Sequence, residues 1–276
     1  MSETFPSLSV SIIAHNEAAI IRRCLDSVKD LADEIILVVN DCDDGTDTIA
    51  QEEYGARVIY ETWHGHRDQK NIALQHVTKD WVLCVDCDEE LSGALQDEIR
   101  AFLKTLAKDF SGASFPRKNW FLGRWITHGD WYPDRSLRLF KNGSGKWAGS
   151  REHDSMRVEG SVYKLKHDLH HYSTPTLTSQ IGKISYFSDI FLQREIDKGK
   201  KFSVLGIIFR PFWRFVRGYF LRLGFLDGFP GFYIAIVNSF SSFVRHSRIY
   251  EYETTPEVKA KFDQLRAESL HRGEQE

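Results

Sequence analysis

Residues 81–92 read WVLCVDCDEELS. An apolar, β-prone run from Trp81 to Val85 ends on Asp86, Cys87, Asp88, Glu89 and Glu90, four carboxylates within five positions. Carboxylates this close raise one another's pKa unless a cation neutralises them. Either water solvates the end of this strand in a loop, or a metal ion sits there. The sequence around it decides between the two.

Upstream, apolar runs alternate with helical patterns. Leu8–Ala14 (LSVSIIA) reads as a buried strand, and Ile20–Val28 as a helix with Ile20, Ile21, Cys24, Leu25 and Val28 on one face. Glu34–Asn40 is a second strand, and a helix over Thr46–Tyr54 stops at Gly55, a C-cap signal. Arg57–Glu61 is a third strand, Asp68–Val77 a helix, and WVLCVD a fourth strand. This alternation predicts parallel βαβ units, an α/β chain with a doubly wound, mainly parallel sheet. In such sheets ligands bind beyond the carboxyl ends of the strands. Here those ends are HNE, NDCDDGT, TWHGHRDQKN and DCDEE, so the carboxylate cluster lies on the ligand edge.

Downstream, Ser92 is placed to N-cap a helix running to about Ala107. Short strands near Ala113–Trp120 and Ser136–Phe140, with Gly, Trp and Pro between them, read as an irregular β-rich half reaching Tyr172. Leu177–Ile196 is helical, and a polar helix begins at Pro256. The expected organisation is a nucleotide-binding α/β half over 1–110, an acceptor-side half of the same domain over 111–175, and a helical, amphipathic, membrane-associating extension over 176–276.

Composition narrows the partners. With 276 residues, 27% charged residues and a formal net charge of −3, nothing supports a nucleic-acid partner, which usually needs a basic excess. Cys24, Cys42, Cys84 and Cys87 read as reduced thiols packed in or near strands. Cys84 and Cys87 have C-x-x-C spacing but no second pair to complete a zinc site. No secretory signal is expected at Met1–Ser7. The longest uncharged stretch, Gly228–Val244, is about 17 residues, at the lower limit for a membrane span. The expected location is the cytoplasm or the cytosolic face of a membrane.

The strand ends carry plausible chemistry for a nucleotide diphosphate. In an extended segment Asp86 and Asp88 project to the same side and face one cation, with Mg²⁺ or Mn²⁺ suited to such hard oxygen ligands. The competing reading is a solvated acidic loop, and the position after the fourth strand favours the metal. Glu17, in HNE (His15–Glu17), can accept hydrogen bonds from ribose hydroxyls, or simply favour a helix N-terminus. Asn40 and Asp41 end the second strand, where a side-chain oxygen can accept a base N–H or form an Asx-turn. Lys70 lies near a helix start, well placed for a pyrophosphate. Of Glu89 and Glu90, one is expected to support the site and the other to face water.

Jointly these blocks resemble the nucleotide-sugar half of GT-A glycosyltransferases of family 2: SVSIIAHNE, DEIILVVN with DDGT, ETWHGHRDQKNIAL and KDWVLCVDCDEELS. The later SFPRKN, FLGRWITHGDWYPDRSLRLFK, REHD, LHHYS and GFLDGFPGFY are similar to a narrower branch, the bacterial lipopolysaccharide-core β-glycosyltransferases. The likeness runs from about Ser9 to Tyr250. It implies a nucleotide-sugar donor, with a UDP-sugar expected, and inverting transfer of a hexose to a lipid-linked saccharide. By that likeness Ala14, Asn16, Glu17, Asn40 or Asp41, and Lys70 surround the nucleotide. Asp86 and Asp88 hold the metal on the diphosphate, His171 reaches the metal or phosphate, and Asp154 is the base, with Asp130 and Asp134 in reserve. Two positions depart from the family pattern: Asn40 stands where Asp is usual, and His153-Asp154 where His-Glu is usual. The four histidines His153, His167, His170 and His171 fit no standard zinc spacing. Nucleotidyl transfer to a sugar phosphate is disfavoured because no glycine-rich loop follows the first strand. A non-catalytic nucleotide-sugar-binding protein with a degenerate GT-A fold is the alternative.

Between Phe202 and Tyr250 the only acid is Asp227, against six arginines. Arg210, Arg214, Arg217 and Arg222 fall largely between Phe209, Phe212, Trp213, Val216, Tyr219, Phe220 and Leu223, on a helix that Pro211 is expected to start. A basic helix with Trp and Phe suits the boundary of an anionic membrane, while a core-facing helix or a dimer interface is the plainer reading. With the lipid-linked acceptor, this points to a peripheral protein on the cytosolic face of the inner membrane. GFLDGFPGFYIAIV reads as a shallow or re-entrant element.

Overall fold

A computed structural model describes residues 5–150, 153–173 and 176–273. These fall into two compact units, Met1–Trp120 with Tyr132–Ser173, and Phe121–Trp131 with Thr174–Glu276. The short Phe121–Trp131 stretch, which the sequence places with its neighbours in 111–175, therefore packs with the C-terminal helices.

The first unit is built on strands β1 (Leu8–Ala14), β2 (Glu34–Val39), β3 (Arg57–Tyr60) and β4 (Trp81–Cys84), which run mutually parallel in the order β3-β2-β1-β4. Continuous burial along β1, β2 and β4 follows from covering both faces of a parallel sheet. Helices α1 (Ile21–Val28), α2 (Thr46–Tyr54), α3 (His66–Gln75) and α4 (Gly93–Thr105) connect or flank them. Alternate residues divide between two cores. Ile35, Leu37 and Val39 join Leu25, Leu95 and Phe102, whereas Ile36 and Val38 join Ala73, Phe140 and Trp147. Gly55 ends α2 at φ 64°, where a side chain would be strained. Ser92 caps α4, its Oγ accepting the Leu95 N–H at 3.2 Å. Register is fixed at the far edge too, where Glu34 accepts from Ser9 Oγ at 2.7 Å and from Thr78 Oγ1 at 2.7 Å.

Beyond β4 the sheet becomes mixed, continuing as β8-β6-β12-β5, with the β4–β8, β8–β6 and β12–β5 pairs antiparallel and the β6–β12 pair parallel. These are β5 (Glu89–Leu91), β6 (Gly112–Phe121), β8 (Asp134–Lys141) and β12 (Leu169–His171), with β11 (Val162–Lys164) also beside β6. Strands β9 (Gly145–Ser150) and β10 (His153–Val158) form a separate hairpin. The mixed α/β sheet is consistent with a GT-A fold.

The second unit holds β7 (Arg124–Trp125) and helices α5 (Leu177–Asp197), α6 (Val204–Val216), α7 (Gly228–Thr254) and α8 (Pro256–Gly273). Pro211 does not start α6: it lies in the helix interior, and Ser203 is the cap, accepting the Gly206 N–H at 3.2 Å. Pro211 is buried there, and its carbonyl accepts from Ser239 Oγ of α7 at 2.8 Å. The stretch read as a shallow or re-entrant element forms a short 3₁₀ turn, Gly224–Asp227, and the start of α7, at a 71° bend between helical segments that together, though not singly, have the length and composition of a broken span or re-entrant loop.

Candidate active site

The carboxyl ends of β1 and β4 open on a cleft of about 390 Å³ lined by Ala14, Glu17, Lys70, Asp86, Asp88, Asp154 and His171, together with Ile13, His15, Trp63, His66 and Cys87. Seven of the ten residues singled out in the sequence thus meet at one place. Asn16, Asn40 and Asp41 are not among its lining. Asn40 is buried, with its carbonyl 2.8 Å from His15 Nδ1 and its amide 3.3 Å from the same nitrogen. Asn16 turns its Oδ1 to the Asp43 N–H at 3.0 Å. Asp41 is exposed in a left-handed conformation, φ 42°.

The extended geometry expected for Asp86–Asp88 is not adopted. The Glu89 N–H donates to the Asp86 carbonyl at 2.9 Å, closing a turn, and the Asp86 N–H donates back to Glu89 Oε2 at 2.9 Å. The two aspartates therefore take different partners. Asp86 Oδ1 lies 3.0 Å from Lys70 Nζ and Oδ2 accepts from Arg138 Nη2 at 2.8 Å. Burial alone would raise the Asp86 carboxyl, but the adjacent Arg138 and Lys70 charges win and hold it well below the usual carboxylate range. Lys70 shows the complement: desolvation opposes its charge, and Asp86 and Asp154 still raise it above the ordinary lysine value.

The pairing extends in a line. Lys70 Nζ is also 3.0 Å from Asp154 Oδ2 on β10. Arg138 reaches the fully buried Glu89 at 3.2 Å, Glu89 reaches Arg117 at 3.4 Å, and Arg117 reaches Asp134 at 2.7 Å. Trp147 on β9 presents its ring to both cations, 4.4 Å from Lys70 Nζ and 5.1 Å from the Arg138 guanidinium. Its strand is pinned to α3 by Asn71, which donates to the Trp147 carbonyl at 3.0 Å and accepts its N–H at 2.9 Å. Arg138, Trp147 and Glu89 therefore organise the site. Of these, Glu89 is one of the two glutamates of which the sequence expects one to support the site, Arg138 left only a cation amid the apolar alternation of RSLRLF, and Trp147 left no signal.

Asp88 faces His171, with Oδ2 3.2 Å from Nε2. His171 Nδ1 lies 2.6 Å from Asn119 Oδ1, so the ring donates there and Nε2 keeps its lone pair when neutral. An aspartate and an imidazole fixed by a carbonyl-type acceptor form a fitting ligand pair for a divalent cation. Mg²⁺ and Mn²⁺ commonly take one or two protein ligands and fill the rest with water and phosphate oxygens, so Asp88 and His171 are the pair that would hold the expected ion; among the described residues no group of three or more such side chains gathers to hold a metal. Both Asp86 oxygens are already held by cations. Glu17 has its carboxyl raised by burial, and then by the nearby Asp88 and Asp44 charges.

Other sequence candidates lie elsewhere. Asp134 is engaged by Arg117, and Asp130 sits in the second unit among arginines. Of Glu89 and Glu90, the first is fully buried within the charge line, and the second accepts from Tyr172 Oη at 2.7 Å. The side chain of His153 lies outside the described residues. Cys24, Cys84 and Cys87 are buried free thiols; burial pushes Cys84 up to about 12 and the other two well above the ordinary thiol value. They remain protonated, unsuited to act as metal ligands or nucleophiles.

A parallel βαβ half that becomes a mixed sheet beyond β4 and carries acids on its ligand edge agrees with the family resemblance read from the sequence. The chain belongs to glycosyl transferase family 2, whose sequence profile matches residues 9–158. It is 32% identical over 255 residues to an uncharacterised glycosyltransferase of Rickettsia typhi, covering 88% of this chain and 87% of that one. It is 29% identical over 250 residues to the lipopolysaccharide core biosynthesis glycosyltransferase LpsC of Rhizobium meliloti, covering 88% and 92%. The family resemblance read from the sequence is thus borne out. Among solved structures, glucosyl-3-phosphoglycerate synthase of Mycobacterium tuberculosis, in complex with Mn²⁺, UDP-glucose and phosphoglyceric acid, aligns over 43% of this chain and 45% of that one, at 23% identity and a TM-score of 0.33.

Proposed function

We propose that this protein transfers a hexose from a UDP-sugar to a lipid-linked saccharide of the lipopolysaccharide-core type, with inversion at the anomeric carbon, working peripherally at the cytosolic face of the inner membrane. The observation carrying this reading is the convergence of Glu17, Lys70, Asp88, Asp154 and His171 on one cleft at the β1 and β4 ends. Kinship with an enzyme named for lipopolysaccharide core biosynthesis supports the acceptor class.

Glu17 accepts from the ribose hydroxyls, and Lys70 supplies a cation to the diphosphate. A divalent cation, Mg²⁺ or Mn²⁺, held by Asp88 and His171 would neutralise charge on the departing nucleotide. Asp154 takes the proton of the acceptor hydroxyl as that oxygen attacks from the face opposite the nucleotide. Lys70 couples the two ends, because it is shared between Asp86 and Asp154. When its charge turns to a diphosphate, Asp154 loses its Lys70 partner and is free to meet the acceptor hydroxyl.

The test is donor hydrolysis and transfer across UDP-, GDP- and CMP-sugars, with Mn²⁺ or EDTA, for the wild type, Asp88→Ala and Asp154→Asn. Metal-dependent turnover of one UDP-sugar, reduced at least ~100-fold in either variant, is expected. Tight donor binding with no turnover, even with lipid-linked acceptors present, would establish a non-catalytic binding protein instead.

A further inference from the structure

The helices of the second unit turn apolar faces outward. On α6, Val204, Leu205, Ile208, Phe209, Phe212 and Trp213 share one face and are 56–70% exposed. On α7, Phe229, Phe232, Ile236, Phe240 and Phe243 recur at helical steps, each at least 41% exposed. Monomers usually scatter such side chains singly. At 1.5 Å per residue these stripes run about 15 Å and about 22 Å, short of the ~30 Å hydrocarbon core of a bilayer. Among the described residues no single helix is long and apolar enough to cross a membrane, and α6 with its π turn meets α7 at a 71° bend. The bend is close-packed, since a Cβ on Gly231 would collide with the Gly224 carbonyl oxygen. Asp227 is fully buried there, accepting the N–H groups of Thr127 at 3.0 Å and His128 at 2.8 Å.

Beside this bend lies a charge cluster that donor chemistry does not use. The Asp130 side chain is only 3% exposed; its Oδ1 accepts from Arg217 Nη2 at 2.9 Å and Arg222 Nη1 at 3.0 Å, and its Oδ2 lies 3.2 Å from Arg214 Nε. Between Arg217 and Leu221 the helix opens into a π turn, and the Arg222 N–H donates to the Arg217 carbonyl at 2.8 Å. An α-helix would set residues five apart about 140° round the axis, whereas the wider π turn brings them onto one side. Gly218 lies beside the carboxylate, a Cβ there falling at contact distance, 3.4 Å, from Asp130 Oδ2. One acid thus arranges three guanidiniums and cancels one of their charges, leaving two in excess. The arginine side chains stay 36–49% exposed. Three guanidiniums carry many more N–H donors than the two that hydrogen-bond to Asp130, in the forked geometry that matches phosphate.

We propose that this Asp130-centred cradle holds the phosphate of an anionic phospholipid headgroup, while the stripes of α6 and α7 rest in the acyl region of the same leaflet. Charge complementarity selects this occupant: from Phe202 to Tyr250 the only acid is the buried Asp227, and the arginines border an otherwise apolar surface. The inference rests on the peripheral-membrane part of the proposed function, and vesicle binding is read without sugar transfer, so each can fail alone.

The experiment is co-sedimentation of the full chain with vesicles of phosphatidylcholine alone or mixed with phosphatidylglycerol, with thermal unfolding recorded for every variant. The wild type should bind the anionic vesicles at least ~10-fold more tightly, and Arg222→Gln should lose about fivefold on them alone. Phe209→Ser/Phe212→Ser should weaken binding to both vesicles. Asp130→Asn decides between an organised cradle and a diffuse basic surface. It adds net positive charge, so a diffuse surface would bind anionic vesicles more tightly, whereas a cradle deprived of its organising acceptor binds them less. If Asp130→Asn does not fold, Arg222→Lys replaces it: loss matching Arg222→Gln supports the cradle, and wild-type binding overturns it. Equal binding to the two vesicles, full displacement by inorganic phosphate, or a stable dimer that binds neither vesicle would each overturn the proposal.

Discussion

Helices α4 and α6 carry similar apolar periodicity and use it in opposite ways. On α4, Leu95, Ile99, Phe102 and Leu103 are buried against the sheet, and Phe102 meets Trp81 edge-on at 5.3 Å. On α6 an equally regular set faces outward. Periodicity fixes which residues share a face; what that face meets depends on whether another element lies opposite. The acids differ in parallel. Asp86 is one link in a buried line of alternating charges, whereas Asp130 gathers an excess of cations whose outer surfaces stay exposed.

The largest expected effect tests that contrast. Arg138→Met leaves fully buried Glu89 without its inner counter-ion and Asp86 with only Lys70. Breaking a buried ion pair on one side costs roughly 3–5 kcal/mol. Arg222→Gln, at a half-exposed pair with two other arginines still on Asp130, should cost under ~1 kcal/mol. Urea unfolding of the two variants reads the difference directly. Similar costs would mean that the interior line is as well solvated as the surface cluster, and the distinction between the two carboxylates would collapse.

The sequence was most informative where structure is set locally. Strands β1 to β4, the Gly55 stop and the Ser92 cap follow from burial runs and capping chemistry, which need only a few neighbouring residues. The family was legible because several strand-end blocks occur in order, although each block alone is weak. What stayed hidden was the partner of each charge. Arg138 and Asp86 are 52 residues apart, as are Asn119 and His171, and their pairing depends on how β8, β6 and β12 lie beside β4 and β5. The extended reading of Asp86–Asp88 failed because Glu89 folds back on the Asp86 N–H, a contact no alternation rule anticipates. Pro211 misled because proline favours helix starts, whereas α6 carries it buried in its interior and takes Ser203 as its cap.

An intermediate effect probes Asp88 and His171 as the proposed ligand pair. Asn119 holds His171 Nδ1, so Asn119→Leu should free the imidazole to rotate while leaving the ligands themselves in place. Loss of such an outer partner typically costs 10–100-fold in metal affinity. A Mn²⁺ titration of transfer should therefore show the half-maximal concentration raised by about that factor, with turnover at saturating metal close to wild type. An unchanged titration would show that Asn119 does not orient His171 for a cation, and would shift the metal role to Asp88 with other groups.

The smallest effect concerns Glu17, where function and stability should oppose each other. Its carboxyl is raised by partial burial and then by the Asp88 and Asp44 charges, so the folded chain disfavours the ionised form. Well below the ordinary glutamate range both states are protonated and there is no penalty. As pH rises through the unfolded value of about 4.3, the unfolded chain ionises first and folded stability falls, until Glu17 ionises in the folded chain too. Above that point the penalty is constant. Glu17→Gln should therefore raise the melting temperature at neutral pH, by on the order of 1 °C given the screening at this partly exposed position. The gain should vanish near pH 3, while the same change weakens UDP-sugar binding several-fold by exchanging a charged acceptor for a neutral one. A variant less stable at neutral pH would show that Asp88 and Asp44 do not strain Glu17. Unchanged donor affinity would remove it from the ribose contact.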